Sequence, residues 1–246
     1  MPTRAGHAPS AAAELWAGVR RLFPLLLGVA PFGVIYGVAA VSRPPLGAGL
    51  SSAAAVAMSS LVFAGSAQFL LAQLTGEGAP ALVLVATAAL VNLRHLLYSA
   101  SVAPHLVRLP RRWKGLLAYL LTDEAYAAVI GRLEAEAERE GGPAPHLHWF
   151  VLGAGLCLWG GWQVSTAAGV LLGRTLPETW RSNLAFALPL TFIAIVVPMI
   201  RSAPALAAAA VAGGVALLGS GWPYQLGLVA AALAGIAAGW LAGRRR

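Results

Sequence analysis

Long apolar runs separated by short polar or basic turns recur through the chain, near 22–41, 50–74, 79–107, 114–132, 149–172, 184–200, 204–219 and 223–242. A helix rises about 1.5 Å per residue, so about 20 apolar residues cross a hydrocarbon core of about 30 Å. The pattern predicts an all-α, polytopic integral membrane protein with seven to eight hydrophobic segments. One transmembrane domain covers residues 1–246, with a short polar N-terminus at 1–21 and one larger polar loop at 132–147. The first half of that loop is helix-prone, and its GGPAP ends the helix.

Two of the apolar runs carry charge at their centres: Asn92, Arg94 and His95 in 79–107, and Asp123 with Glu124 in 114–132. An ionised side chain at mid-bilayer costs roughly 2.5–3.5 kcal/mol on insertion scales, so such residues face a cavity, a substrate or each other. On the first run, Asn92, His95 and Ser99 share one side of a helix and Arg94, Tyr98 and Ser101 an adjacent one. Arg94 cannot lose its charge and needs an anionic partner, backbone carbonyls or water. Asp123 is the only aspartate of the chain, which makes it and Glu124 the natural counter-charges. Tyr119, Thr122 and Tyr126 lie on the same side of the helix at 114–132 as Asp123. Two readings stay open: an ion pair that only fixes helix packing, or a carboxylate and His95 that exchange protons as substrate moves.

In 50–74, Ser52, Ser59, Ser66 and Gln73 recur every seven residues and so form one polar stripe, for packing or for a substrate path. Ala64, Gly65, Ser66 and Ala67 form a small-residue tetrad where a helix can unwind, and a half-helix starting there would aim free N–H groups at an anion. FAGSAQFLLAQLTG at 63–76 and LWGGWQVSTAAGVLLG at 158–173 each place two small residues ahead of a glutamine, Gln68 and Gln163, a faint echo that suggests an inverted repeat.

Basic residues then test the topology. If every segment crosses, the turn with Arg108, Arg111, Arg112 and Lys114 and the N-terminal Arg4, Arg20 and Arg21 fall on opposite faces, against the positive-inside rule. A broken or re-entrant segment relieves the conflict, and 50–74, broken around Gly65 and Ser66, is the best candidate.

Composition agrees with a membrane protein: 59% hydrophobic and 11% charged residues, with a mean hydropathy of +0.74. The net charge of +8 comes from 17 basic residues that lie mostly at segment ends, as bilayer flanks do, so no nucleic-acid partner is expected. The first apolar run is too long for a cleaved signal and contains Gly28, Pro31, Gly33 and Gly37, so it reads as a retained helix. Cys157, the single cysteine, reads as a packing residue. Gly33-xxx-Gly37, Gly169-xxx-Gly173 and Gly235-xxx-Gly239 permit close helix crossings; Trp113, Trp149, Trp180 and Trp222 mark segment ends; Pro189 and Pro198 kink or end the run at 184–200. The chain has no nucleophile elbow, zinc-protease motif, P-loop or dinucleotide fingerprint, and His146 and His148 are the only close histidines. No enzyme activity, cofactor or metal site is expected.

FAGSAQF at 63–69, NLRHLLYSASVAP at 92–104, LTDEAYA at 121–127 and LPLTFIAIVVP at 188–198 resemble the motifs of the AzlC family of branched-chain amino-acid permeases, in matching order, over about Trp16 to Trp240. The resemblance implies a multi-pass protein of a prokaryotic cytoplasmic (inner) membrane, the large subunit of an amino-acid exporter that works with a small AzlD-like membrane subunit. It implies leucine, isoleucine, valine and sometimes methionine as cargo, with coupling to the membrane potential or proton gradient. Family members often carry an acid before the phenylalanine of the sixth segment, where this chain has Ala185 before Phe186. The expected transport residues are Gly65, Ser66, Ala67, Gln68, Asn92, Arg94, His95, Asp123 and Glu124, with an amino-acid zwitterion held among them. The rival readings are a structural or regulatory membrane subunit whose charges serve assembly, and a passive channel.

Overall fold

A computed structural model describes residues 9–44, 47–137, 146–177, 179–180, 193, 197, 200–223 and 226–244. These form helices and no strand. The run at 184–200, with Ala185, Phe186, Pro189 and Pro198, lies almost wholly outside the described residues, as do half of the loop at 132–147 and Arg4. Among the described residues, three helical stretches are long and apolar enough to cross a membrane: Ala11–Val41, Ala81–Leu106 and Leu226–Arg244.

Two long helices form the spine. α1 (Ala11–Val41) starts on a Ser10 cap whose hydroxyl accepts from the Ala13 N–H at 3.3 Å, and α8 (Leu147–Thr175) has 29 residues. They run in the same direction, because their contacts rise together along both chains. Gly18 sits against Phe150 and Ala154, Gly33 against Ser165, Gly37 against Thr166 and Val170, and Gly173 against Val38 and Val41. A Cβ at Gly37 would lie 2.7 Å from the Val170 nitrogen, and one at Gly169 would lie 2.9 Å from the Val34 Cα. The two glycine pairs expected to permit close crossings thus face each other, and backbone contact replaces the water-driven burial that lipid cannot supply.

The hydrophobic runs at 50–74 and 114–132 are each a re-entrant helical hairpin. α2 (Ser52–Val62) starts beside the end of α1, where the Leu50 N–H donates to the Ala40 carbonyl at 2.9 Å. It descends past Tyr36, whose hydroxyl donates to the Ala55 carbonyl at 3.1 Å, to Ser59 and Ser60 beside Thr166 and Gln163. The chain turns at Phe63 and Ala64, and α3 (Gly65–Gly76) climbs back from Trp162, past Tyr36 again through the Phe69 ring, to Gly47. Phe63 is the only non-glycine residue with positive φ among the described residues, at φ 33° and ψ 50°. That left-handed conformation costs a bulky residue about 1–3 kcal/mol and marks a turn fixed by its surroundings. The re-entrant break expected near Gly65 is therefore present, and Arg43 and Glu77 lie at the same end of the molecule.

α4 (Ala81–Val91) and α5 (Leu93–Val102), kinked at Asn92 and extended by a 3-10 turn over Ala103–Leu106, make a single crossing to the face where α1 and α8 begin. The second hairpin enters from that face. α6 (Arg111–Leu120) sets Trp113 against His148 and Trp149, Leu120 against Gly155, and Tyr119 beside Trp159. After a turn at Leu121 and Thr122, α7 (Asp123–Ala137) returns, so that Arg132 meets Glu14 of α1 at 2.8 Å and lies over the Phe150 ring. The expectation of one helix through 114–132 is thus corrected. Thr122 closes the first turn of a new helix, its carbonyl accepting from the Tyr126 N–H at 2.8 Å.

α2 and α6 contain 11 and 10 residues, about 15 Å each, or half of a hydrocarbon core. Entering from opposite faces, they meet tip to tip near the middle. Tyr119 donates its hydroxyl to the Ser60 carbonyl, accepts from the Trp159 indole at 2.8 Å, and packs its ring 5.8 Å from that of Phe63.

This architecture also settles the charge conflict. The start of α1, the Arg108–Lys114 turn and the end of α7 share one face, because the chain crosses once between α1 and α8. The inverted relation lies between two helix-plus-hairpin units, α1 with α2–α3 and α4–α5 with α6–α7. It does not relate 63–76 to 158–173, since α3 and α8 point the same way. α9 (Ala203–Leu218) and α10 (Leu226–Arg244) form an antiparallel pair, with Gly235 against Ala212 and Gly239 against Ala208 and Pro204, again a glycine crossing.

Candidate functional site

Arg94, in the first turn of α5, joins the two hairpins. One guanidinium nitrogen contacts Oδ2 of Asp123 at 2.7 Å and the other donates to the Ser66 hydroxyl at 2.8 Å. Ser66 is in the first turn of α3 and Asp123 opens α7, so the site gathers the starts of three helix pieces. Neither α3 nor α5 has a side-chain cap, which leaves partial positive charge and free N–H groups facing the site. Asp123 and Glu124 complement the start of α7, and Arg94, placed at the unfavourable end of α5, is compensated by Asp123.

In this pair the buried atoms Arg94 Nε and Asp123 Oδ1 have no hydrogen-bond partner by geometry among the described residues, although the Tyr98 hydroxyl lies beside Asp123, and Asn92 Oδ1, at the kink two residues before Arg94, has none either. Leaving such a group unsatisfied costs about 1–3 kcal/mol, so these atoms are open to a further hydrogen-bond partner. The set contains one charged donor and two acceptors. The Arg94 and Asp123 side chains as wholes are 33% and 42% exposed, so the pair borders open space and is not sealed in the core. That space includes a cavity of about 580 Å³ between α3, α4–α5 and α10, in which Arg94 is the only charged residue among the described lining residues, beside apolar ones such as Leu74, Leu90, Leu97, Leu233 and Ile236.

The remaining expected residues surround this centre unevenly. Gly65 lies against the Trp162 ring, 3.1 Å from a would-be Cβ, which lets the tip of the first hairpin approach α8. Ala67 and Gln68 are fully buried, and Gln68 faces the Tyr36 hydroxyl of α1 rather than Arg94. His95 is half-buried with its ring 6.0 Å from that of Tyr98. Glu124 is half-buried and makes no ion pair among the described residues. Arg94, Tyr98 and Ser101 do share one face: Tyr98 stacks on Tyr126 at 4.4 Å, and the Tyr126 hydroxyl donates to Ser101 at 3.2 Å.

Two expectations fail at the breaks. The stripe Ser52, Ser59, Ser66 and Gln73 is divided between antiparallel helices, so Ser59 bonds Thr166 at 3.0 Å while Ser66 serves Arg94 and Gln73 bonds Glu77. Tyr119 and Tyr126 are likewise split, the first to the tip contact and the second to α5.

The residues that hold the tips are not apparent from the sequence. Trp159, Gln163 and Thr166 form one stripe on α8; Trp159 fixes Tyr119, Gln163 accepts from Ser60 at 3.1 Å, and Thr166 bonds Ser59. The i, i+4, i+7 spacing of these three is the signal that was present. A second ionic group fastens the far end of α7: Arg132 bridges Glu14, only 2% exposed, and Glu136. Among the described residues no group of His, Cys, Asp and Glu is arranged to hold a metal; His146 and His148 lie with Trp113 and Trp149 in an aromatic cluster at the start of α8.

The AzlC protein family matches residues 24–176, more than half of the chain. An uncharacterized membrane protein of Archaeoglobus fulgidus is 31% identical over 239 residues, which covers 95% of this chain and 98% of that one. The inner membrane protein YgaZ of Escherichia coli K12 is 26% identical over 188 residues, 74% of this chain and 71% of its own length. No solved structure matches. Both hairpins, the crossing helix between them and the Arg94 site fall inside the family match, and the chain is a membrane protein of the AzlC family.

Proposed function

We propose that this chain is a secondary transporter that exports branched-chain or other small apolar amino acids across the cytoplasmic membrane, coupled to the proton gradient or membrane potential. The observation that carries this reading is the unsatisfied set at Arg94 Nε, Asp123 Oδ1 and Asn92 Oδ1. A charged donor suits a carboxylate, two acceptors suit an ammonium, and the adjoining apolar cavity suits an aliphatic side chain.

In this mechanism Arg94 and the free N–H groups at the start of α3 hold the carboxylate. Asp123 and Asn92 take the amino group, and Glu124 or His95 carries a proton. The zwitterion then replaces part of the Arg94–Asp123 contact, which ties α5 to α7, so occupancy and helix position are linked. The two hairpin tips close the path from opposite faces, and moving one at a time gives alternating access without a through channel. The positive-inside rule puts the face bearing Arg108, Arg111, Arg112, Lys114 and Arg132 in the cytoplasm, against Arg43 and Arg174 opposite. Membership of the family, and the name of the relative YgaZ as an inner membrane protein, support the same location. A small AzlD-like membrane subunit is the expected partner.

The test is efflux from cells preloaded with dipeptides of leucine, isoleucine, valine or methionine, with and without the small subunit. Export of apolar amino acids that stops when the proton gradient and potential are dissipated supports the reading. Efflux no faster than in cells lacking the chain contradicts it. If the charges only serve assembly, exchanging Arg94 and Asp123 together restores full activity, whereas a substrate site does not tolerate the exchange.

A further inference from the structure

A second cavity, of about 570 Å³, lies between the end of α5, its 3-10 extension and α6, away from the Arg94 site. Its walls include Val102, Leu106, Leu117, Leu121 and Val151, and its one charged lining residue is Lys114. Lys114 donates from Nζ to the Val107 carbonyl at 2.9 Å, which brings the start of α6 to the end of the crossing helix. Arg108 follows Val107 in the chain, and Arg111 precedes Lys114 by one helical turn, so both flank the mouth, with Arg112 adjacent. All four cations are exposed, none makes an ion pair among the described residues, and the sequence has no acid between Glu77 and Asp123.

We propose that this cavity is a site for an anionic phospholipid, with an acyl chain between α5 and α6 and the headgroup phosphate on the cluster Arg108, Arg111, Arg112 and Lys114. The apolar walls give no hold to a soluble anion, and the positive charge at the mouth, unpaired among the described residues, repels the cation of a zwitterionic headgroup. Basic pockets between membrane helices on the cytoplasmic side take anionic headgroups by this combination. The lipid wedges between the helix that makes the one crossing between α1 and α8 and the ingoing arm of the second hairpin, so its occupancy bears on how that hairpin is seated. The site stands whether or not the chain carries amino acids.

The test is native mass spectrometry of the purified full chain titrated with phosphatidylglycerol or phosphatidylcholine, with inorganic phosphate as competitor. Each basic residue near an anionic headgroup contributes about fivefold in affinity. Phosphatidylglycerol is therefore expected to bind at least about tenfold more tightly than phosphatidylcholine, and the paired change Arg111→Gln with Lys114→Gln to weaken it about thirtyfold. Ala118→Trp fills the cavity without changing charge and is expected to abolish the bound lipid; it serves as the second arm if the charge variant fails to fold. Equal binding of the two lipids, or retained phosphatidylglycerol in either variant, overturns the proposal. So does displacement by inorganic phosphate with Ala118→Trp without effect, which marks a site for soluble anions.

Discussion

Replacing Arg94 by glutamine and Asp123 by asparagine, singly and together, separates a substrate site from an assembly clamp. Arg94→Gln removes the 2.7 Å contact to Asp123 and the 2.8 Å bond to Ser66. Hydrogen bonds to charged groups are worth about 1.5–3 kcal/mol each. Side chains that are 33% and 42% exposed are partly screened, which places the direct Arg94–Asp123 coupling nearer 1–2 kcal/mol. Loss of a charge-assisted contact to a substrate carboxylate adds about 2–3 kcal/mol to binding alone, or roughly 30- to 150-fold. Thermal unfolding in detergent and leucine counterflow in proteoliposomes measure the two quantities on the same protein. The expected result is a stability loss of about 1–2 kcal/mol for Arg94→Gln and a rise in KM of at least about thirtyfold. In the double variant the stability is partly regained, because neither charge remains alone, while transport stays lost. Full recovery of transport in the double variant, or a KM within about threefold of the wild type in Arg94→Gln, refutes substrate contact at this residue.

Other consequences concern the frame that holds the site. Tyr119→Phe loses two hydrogen bonds at the tip contact and is expected to lower stability by about 1–2 kcal/mol in thermal unfolding, with no change if the tips do not meet. Arg132→Gln leaves Glu14, 2% exposed, without its counter-charge, for a loss of about 3 kcal/mol that adding Glu14→Gln recovers in good part; equal instability of the single and double variants contradicts the bridge. Gly169→Ala crowds the Val34 backbone and is expected to cost about 1–3 kcal/mol in the same assay, whereas the open position Gly160→Ala costs nothing measurable.

The membrane class and the charged centre were legible in the sequence because an arginine and two acids inside apolar runs are too costly to sit there without a partner or a task. Hydropathy could not distinguish a crossing helix from a hairpin of two half-length helices, since both read as one apolar run. The difference lies in local signals. Thr122, Asp123 and Glu124 form a helix start, with a hydroxyl residue followed by two acids in the first turn. Read as the middle of a longer helix, the same residues gave the wrong side for Tyr119. In the first hairpin the small tetrad at Ala64–Ala67 did announce the break, but the left-handed residue is Phe63, which no propensity favours and whose ring packs against that of Tyr119. Contacts such as Trp159 to Tyr119 and Arg132 to Glu14 join distant parts of the chain, and only the opposed entry of the hairpins brings them together.

Ser66 bonds Arg94 at the centre of the site, and the chain has one cysteine, so a single-cysteine form with Cys157→Ser and Ser66→Cys reports directly on that centre. Labelling by an impermeant thiol reagent, applied from each face of sealed vesicles with and without leucine, is the decisive measurement. The predicted result is reaction from both faces, slowed by leucine and by dissipation of the proton gradient, because opposed tips open in turn around a bound zwitterion. Reaction from one face only, at a rate that leucine does not change, contradicts it.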